Sequence, residues 1–477
     1  MAHIDRMIGR KKEIEQLNAI TNEKESSFVV VYGRRRVGKT FLINSYFDNN
    51  FAFKCTGLSK KSKQEQLQNF CTALNRYANE PIYQTPKTWM EAFDYLRNLL
   101  ENKKIKGKKV VFIDELPWMD TPKSNLITAI EHFWNDWGTT QSNIILIVCG
   151  SATSWITKKI LKSHGGLHNR ADYKVYIKPF TLSESKEYLQ SRNIVFTDRD
   201  ILEAYMIMGG IPFYLKQIQR GKSISQNIDE IFFVRNGSLE NEYNELFASL
   251  YDNPEPYLKV IEALATKNKG LTKEEIISNS KLLDNGHLKN ILDDLENCYI
   301  IRRYRGYDKL SKMSIYQLID PFTLFYNRFI KKYGHNEKEI WRYQIGTGKY
   351  EAWIGIAFEQ VCLLHHLQIE HKLQIAGVMT EVFAWSNNNE LGKAQIDLLI
   401  RRADRIINVC EMKFCETEYI LNKKEAEDLN RRIQIFRNSN KIKLTIHPVL
   451  ITTYGLKFNE HTSIIQNVVT MNDLFNN

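Results

Sequence analysis

The sequence predicts a multidomain α/β protein, and three observations predict it. Short β-branched runs alternate with helical stretches from residue 8 to about 180. A glycine-rich GxxxxGK[ST] pattern lies between the first of those runs and a helical segment. A second group of helix and strands returns after residue 350. Near-continuous apolar strands separated by helices imply a parallel sheet covered on both faces.

The 477 residues imply two to four domains. With 43% apolar and 25% charged residues, wholesale disorder is excluded. The formal charge of +11 fits a polyanionic partner, although a whole-chain charge speaks first to solubility and encounter rates. No apolar run reaches the ~18 residues a membrane span needs, and the N-terminus carries no apolar signal segment. Seven cysteines lie scattered without a CxxC pair. Reduced thiols in a cytoplasmic protein, with no structural zinc and no membrane, are the expectation.

Taken in order, the strand-like runs are 28–32, 51–53, 110–113, 144–148 and 175–177. Helical patterns follow at 182–189 and 201–208. Three short helices (258–267, 272–279, 284–297) then precede strands near 299–304 and 313–318. A helix at 353–364 leads to strands near 378–385, 394–401 and 406–413, a polar helix near 422–438 and a strand near 444–452. The expected modules are a nucleotide-binding core (1–180), a helical lid (181–250), a winged helix-turn-helix (251–320) and a C-terminal α/β domain (321–477).

Gly33, Arg34, Arg35, Arg36, Val37, Gly38, Lys39 and Thr40 match the phosphate-loop pattern in full, and Phe41 opens the helical run behind it. Glycines let successive N–H groups curl around phosphate oxygens, and the helix N-terminus adds partial positive charge. Lys39 would reach the terminal phosphates of ATP, and the Thr40 hydroxyl would ligate Mg²⁺. The run 110–113 buries a strand that ends in Asp114 and Glu115. Asp114 can hold the Mg²⁺ shell and Glu115 can polarise the attacking water; the plainer reading of two acids there is a helix N-cap. Ser151, after the run 144–148, can sense the γ-phosphate or simply close a strand-end turn. Arg170 can act as an arginine finger or be a solvated surface residue. Gly209-Gly210-Ile211-Pro212 reads locally as a helix end.

These residues together resemble the archaeal-type ATPase family of AAA+/STAND P-loop NTPases: Ile8-Gly9-Arg10, Glu13 and Leu17, the phosphate loop, Asp114-Glu115, Gly150-Ser151, Arg170 and Gly210-Ile211-Pro212. The resemblance covers about residues 5–220. It implies that Ile8, Gly9, Arg10 and Pro212 line the adenine, that the lid closes over the nucleotide, and that Arg170 is the finger or sensor.

The third short helix, 284–297, carries Asp284, Asp293, Asp294 and Glu296 against Lys289. That charge opposes a place in a DNA groove and favours packing on protein. Over 51–109, twelve Lys/Arg face five Asp/Glu, with Lys103, Lys104, Lys106, Lys108 and Lys109 clustered. This segment is either a nucleic-acid surface or a solvated loop.

In the C-terminal domain, a hairpin with an odd-numbered turn at Ala403-Asp404-Arg405 would set Asp397 opposite Glu411, with Lys413 on the same face. Two adjacent carboxylates favour a divalent cation, and Glu359 on the helix 353–364 can complete its shell. The alternative is an ordinary charged hairpin face. Residues 316–322, 325–329, 353–362 and Gln395-Ile396-Asp397 resemble the domain often fused to archaeal-type ATPases, which is similar to restriction-endonuclease-like PD-(D/E)xK nucleases. The resemblance implies Asp397, Glu411 and Lys413 as a nuclease core, with Glu359 as the helix acid; Ile396 stands where the founding pattern has Pro. The combined expectation is an ATP- and Mg²⁺-dependent protein acting on nucleic acid, DNA first, and able to form a homo-oligomer. The alternative is an ATP-switched scaffold whose nuclease-like domain binds without cutting.

Overall fold

The computed structural model describes residues 7–78, 84–162, 170–267, 269–305, 307, 314–334, 339–389 and 392–476. The chain divides into two compact units, Met1–Pro179 and Phe180–Asn477.

In the first unit, β1 (Ser27–Tyr32), β2 (Phe53–Thr56), β3 (Lys109–Asp114), β4 (Ile144–Gly150) and β5 (Tyr173–Tyr176) form one sheet in the order β2-β3-β4-β1-β5. Every pairing is parallel. The unbroken apolar runs anticipate this, because a parallel sheet is buried on both faces and all of β4 is buried. Alternate residues (Phe28 and Val30, Val111 and Ile113, Leu146 and Val148) share one core with Phe70, Trp89, Phe93 and Leu96 from helices Lys63–Tyr77 and Trp89–Asn102. The run at 51–53 starts its strand late. Phe51 and Ala52 are buried, and the Ala52 N–H already bonds Val110 O at 2.8 Å, but the regular ladder begins at Phe53.

The lysine cluster before β3 is largely structural. Lys103 Nζ donates to the carbonyls of Ala52 (2.8 Å) and Tyr77 (3.2 Å), Lys108 Nζ to those of Glu25 (2.7 Å) and Ser142 (3.0 Å), and Lys109 Nζ to that of Leu100 (2.5 Å). Three of the five ammonium groups therefore satisfy carbonyl oxygens at element ends, while Lys104 and Lys106 are exposed.

The second unit opens with helices Leu182–Ser191 and Asp198–Met208, each started by a capping box (Thr181 with Glu184, Thr197 with Asp200). Helices Glu255–Ala265, Lys273–Ser280 and Gly286–Asn297 accompany a small antiparallel sheet ordered β6-β8-β7: β6 (Leu271–Thr272), β7 (Ile301–Arg305) and β8 (Ser314–Leu318). Here the acidic third helix finds its partners. Arg303 on β7 pairs with Glu296 at 3.3 Å and Asp293 at 3.7 Å, and Tyr257 donates to the buried Asp294 at 2.9 Å.

Five further strands form a mixed sheet ordered β13-β12-β11-β10-β9: β9 (Thr380–Asn389), β10 (Gly392–Arg402), β11 (Ile406–Lys413), β12 (Thr445–Thr452) and β13 (Asn467–Thr470). The β9–β10 and β10–β11 pairings are antiparallel, and the last two are parallel. Leu429, Ile433 and Phe436 of helix Lys423–Ser439 cover Trp385, Ile396, Ile407 and Val409. At the end of helix Gly348–Leu364, buried His365 accepts the Leu182 N–H at Nε2 (3.0 Å) and bonds Val361 O through Nδ1 (2.8 Å). Burial holds its pKa down at about 4, so the ring is neutral. No helix among the described residues is long and apolar enough to cross a membrane.

Candidate functional site

The phosphate loop follows Tyr32, the half-buried last residue of β1, and enters helix Lys39–Tyr46. Gly33 adopts φ 145°, and a Cβ there would lie 2.3 Å from Ile177 O, so only glycine fits. Arg36 (φ 71°) and Gly38 (φ 93°) are both left-handed, which curls the chain into a concave row of N–H groups ahead of the helix. Lys39 is buried and donates to the carbonyls of Gly33 (3.0 Å) and Arg34 (2.9 Å), so its ammonium is held across the loop.

Beneath it, the Thr40 hydroxyl donates to Asp114 Oδ2 at 2.7 Å, joining the two motifs across 74 residues of sequence. Asp114 is buried, and its Oδ1 accepts the Glu115 N–H at 3.0 Å. Glu115 sits at φ 47°, a conformation that non-glycine residues adopt at a cost. Its Oε2 accepts both the N–H (3.1 Å) and the hydroxyl (3.0 Å) of Ser151. Burial and the neighbouring Asp114 raise the Glu115 pKa, against the pull of Lys39. A carboxylate raised in this way is a stronger proton acceptor. A hydroxyl and a carboxylate in contact under a buried lysine and a row of N–H groups make a donor set that fits a nucleotide with its Mg²⁺.

Of the other expected contacts, Gly9 and Arg10 are buried and Ile8 is half-buried. Arg10 donates to Lys178 O (2.7 Å) and Val37 O (2.9 Å), so it clamps the phosphate loop to the chain after β5. Phe41 is 65% exposed on the helix behind the loop. Arg170 is exposed in the turn before β5. Pro212 begins the short helix Pro212–Leu215 in the second unit.

In that unit, Glu359, Asp397, Glu411 and Lys413 line one cleft of about 1010 Å³. Register Leu398↔Cys410 through Arg401↔Ile407 closes the hairpin over Ala403–Arg405, and one more step sets Asp397 opposite Glu411. On its other side, β10 shifts register against β9 between Ile396 and Leu399, and this irregularity contains Asp397. Bulges of this kind re-aim side chains. Asp397 Oδ1 accepts from Gln395 Nε2 at 2.5 Å. Glu411 Oε1 pairs with Lys413 Nζ at 3.0 Å, while its Oε2 pairs with Arg432 at 2.9 Å. Burial alone would raise the Glu411 pKa, but Arg432 and Lys413 outweigh it and hold the carboxylate low. Glu359 behaves oppositely: burial, then the charge of Asp397, pushes it up to about 8.

Both Glu411 oxygens are in ion pairs, and no group of three His, Cys, Asp or Glu side chains among the described residues is arranged to hold a metal ion. This donor set does not fit a divalent cation as arranged.

Residues 7–218 match the family model described as "ATPase domain predominantly from Archaea". They carry an archaeal-type ATPase domain. Over 435 residues the chain is 24% identical to the uncharacterized protein MJECL04 of Methanocaldococcus jannaschii, covering 90% of this chain and 92% of that protein. Over 42 residues it is 45% identical to the uncharacterized ATP-binding protein MJ0423 of the same organism, covering 9% and 71%. Among solved structures, the Walker-type ATPase PABY2304 of Pyrococcus abyssi is similar, with 16% identity and a TM-score of 0.48 over 68% of this chain and 97% of that one.

Two features of the ATPase domain carry no signal in its motifs. One is the clamp role of Arg10, which is set by backbone carbonyls far away in sequence. The other is the seating of Glu115 on Ser151, which requires β3 and β4 to be neighbours. In the second unit, Arg432 was equally hidden. Its one local clue is Asp428 four residues earlier on the same helix, with which it pairs at 2.9 Å.

Proposed function

We propose that the chain binds and hydrolyses ATP, and that its second unit holds nucleic acid in a restriction-endonuclease-like PD-(D/E)xK cleft. The observation that carries the first part is the 2.7 Å bond from the Thr40 hydroxyl to the Asp114 carboxylate under the phosphate loop. Thr40 and Asp114 would hold Mg²⁺, which screens the phosphate charge when bound. Lys39 turns its ammonium from loop carbonyls to the terminal phosphates. Glu115, oriented by Ser151, takes the proton of the attacking water. Arg170 is exposed and available as a finger toward a neighbouring copy. In the C-terminal direction, the lid is 181–250, the winged helix 251–320 and the nuclease-like domain 321–477.

For the cleft, two readings compete: cutting with a divalent cation, and holding without cutting. The ion pairs on both Glu411 oxygens favour holding, because a cation would have to displace Lys413 and Arg432 first. Cys415 is partly exposed and the other six cysteines are buried, and no disulfide joins any of them among the described residues, which fits a reducing cytoplasm.

The test uses the full chain with plasmid, linear and single-stranded substrates, with and without ATP and Mg²⁺, beside Lys413→Ala. ATP turnover with strand binding but no cleavage is the expected result. Metal-dependent cleavage lost in Lys413→Ala would establish the cutting reading instead. Absence of ATP turnover under every condition would refute the first part.

A further inference from the structure

Helix Lys423–Ser439 sends one arginine, Arg432, into the cleft of the second unit. Its Nε pairs with Asp428 at 2.9 Å, one turn earlier on the same helix. Its Nη1 pairs with Glu411 Oε2 at 2.9 Å on β11 and also donates to the Gln395 carbonyl at 3.3 Å on β10. Gln395 is the residue whose side-chain amide holds Asp397 Oδ1. One guanidinium therefore joins the helix to both strands of the carboxylate hairpin.

The anchor has its own support. Asp428 gives its other oxygen to Arg431 at 2.6 Å, and Arg431 donates to Lys393 O at 3.1 Å. Both arginines pin the helix along β10, and of the two Arg432 is the one that pairs with Glu411. The Arg432 side chain is 17% exposed, so its charge is largely withdrawn from water and needs a partner. Glu411 and Asp428 supply it. A guanidinium suits this place, because its planar fork serves two carboxylates at once and it stays charged at any working pH.

This placement decides what else Glu411 can bind. A divalent ion shared by Asp397 and Glu411 would need a Glu411 oxygen at about 2.0–2.6 Å. One of those oxygens is held by Lys413 and the other by Arg432. Lys413 is 39% exposed, whereas Arg432 is fixed at three acceptors. An ion on Glu411 would lie within about 5 Å of the guanidinium. At an effective dielectric of about 20, that repulsion weakens binding by more than a hundredfold.

We propose that Arg432 is the built-in cation of this cleft: it fills the place beside Glu411 that a divalent ion would take, and so keeps the paired carboxylates from binding one. This deepens, and rests on, the reading of the cleft as one that holds nucleic acid without cutting it. The charge that a metal would bring to the hairpin is supplied by a side chain, and a guanidinium carries no bound water to activate.

The experiment titrates the full chain with Mn²⁺ alone and follows the loss of the free-ion EPR signal. Every protein carries Asp114→Asn, which removes the carboxylate expected to hold Mg²⁺ in the first unit. This parent is compared with Arg432→Gln, with the neighbour control Arg431→Gln, and with Asp397→Asn in both the parent and the Arg432→Gln protein. Denaturant melts of the second unit check the fold of each. Arg432→Gln is expected to gain one Mn²⁺, bound at least a hundredfold more tightly than by the parent. Asp397→Asn should abolish that gain, and Arg431→Gln should not show it. Mn²⁺ binding by the parent that Asp397→Asn removes would overturn the proposal, and this comparison stands even where Arg432→Gln loses its fold. A folded Arg432→Gln protein that gains no ion would overturn it too, as would an equal gain in Arg431→Gln. Anisotropy of labelled single-stranded and duplex DNA with the parent is expected to be the same in Mg²⁺ and in EDTA. Binding of no strand would refute the nucleic-acid reading alone, because the Mn²⁺ titrations still decide what Arg432 does.

Discussion

The phosphate loop and the C-terminal cleft gather charged groups by opposite means. The loop relies on backbone: left-handed residues, a glycine against Ile177, and N–H groups in series, all within eight consecutive residues. The cleft relies on side chains drawn from helices and strands far apart in the chain, with Lys413 and Arg432 paired to the two oxygens of Glu411 and Glu359 raised by burial. A backbone site draws its N–H groups from consecutive residues, so substitutions of the side chains around it act on chemistry. A side-chain site exists only once the elements have docked, so substitutions in it act on charge balance and stability together.

The largest effect that would sharpen this contrast is on turnover. Glu115→Gln is expected to keep ATP binding and slow hydrolysis by roughly 10²–10⁴-fold, the range for loss of a general base; normal single-turnover rates would remove Glu115 from that role. Lys39→Ala acts one step earlier. Loss of its charge-assisted phosphate contacts should weaken ATP binding about a hundredfold, ~3 kcal/mol, by calorimetry. An unaltered Kd would break the view of the loop as a finished phosphate site.

Next comes a pH effect confined to the second unit. His365 is buried and neutral, with its pKa near 4 in place of 6.5. The unfolded chain therefore binds a proton that the folded chain refuses. The stability linked to the neutral ring is complete above about pH 6.5 and is lost as pH falls toward 4, by up to about 3 kcal/mol. Denaturant melts of the second-unit transition between pH 7 and 4 should show that slope, and His365→Gln should flatten it. A slope that survives the substitution would assign the effect to other groups.

The smallest effect concerns the lysines before β3. Replacing Lys103, Lys108 or Lys109 with Met should cost about 1 kcal/mol each in stability, because carbonyl oxygens lose their donors. Nucleic-acid affinity should barely move. A fall in affinity without a fall in Tm would restore the cluster as a binding surface.

What was legible in the sequence follows the same division. The apolar runs placed β1, β3 and β4, and the hydrophobic period placed the helices, because burial on both faces of a parallel sheet leaves a continuous mark. The odd turn at Ala403–Arg405 gave the β10–β11 register from parity alone. The acidic helix Gly286–Asn297 was readable as a packing element from its charge, but its partner Arg303 was not.

The sequence by itself determined the phosphate loop, the acids at the end of β3 and the existence of a paired-carboxylate hairpin. These depend on residues adjacent in the chain or on strand parity. Only the tertiary structure decided that Ser151 seats Glu115, that Arg10 clamps the loop, and that Arg432 pairs with Glu411. Each of those joins residues far apart in the chain through electrostatic or hydrogen-bond contacts a few ångströms long, and local propensity carries no record of which distant partner will arrive.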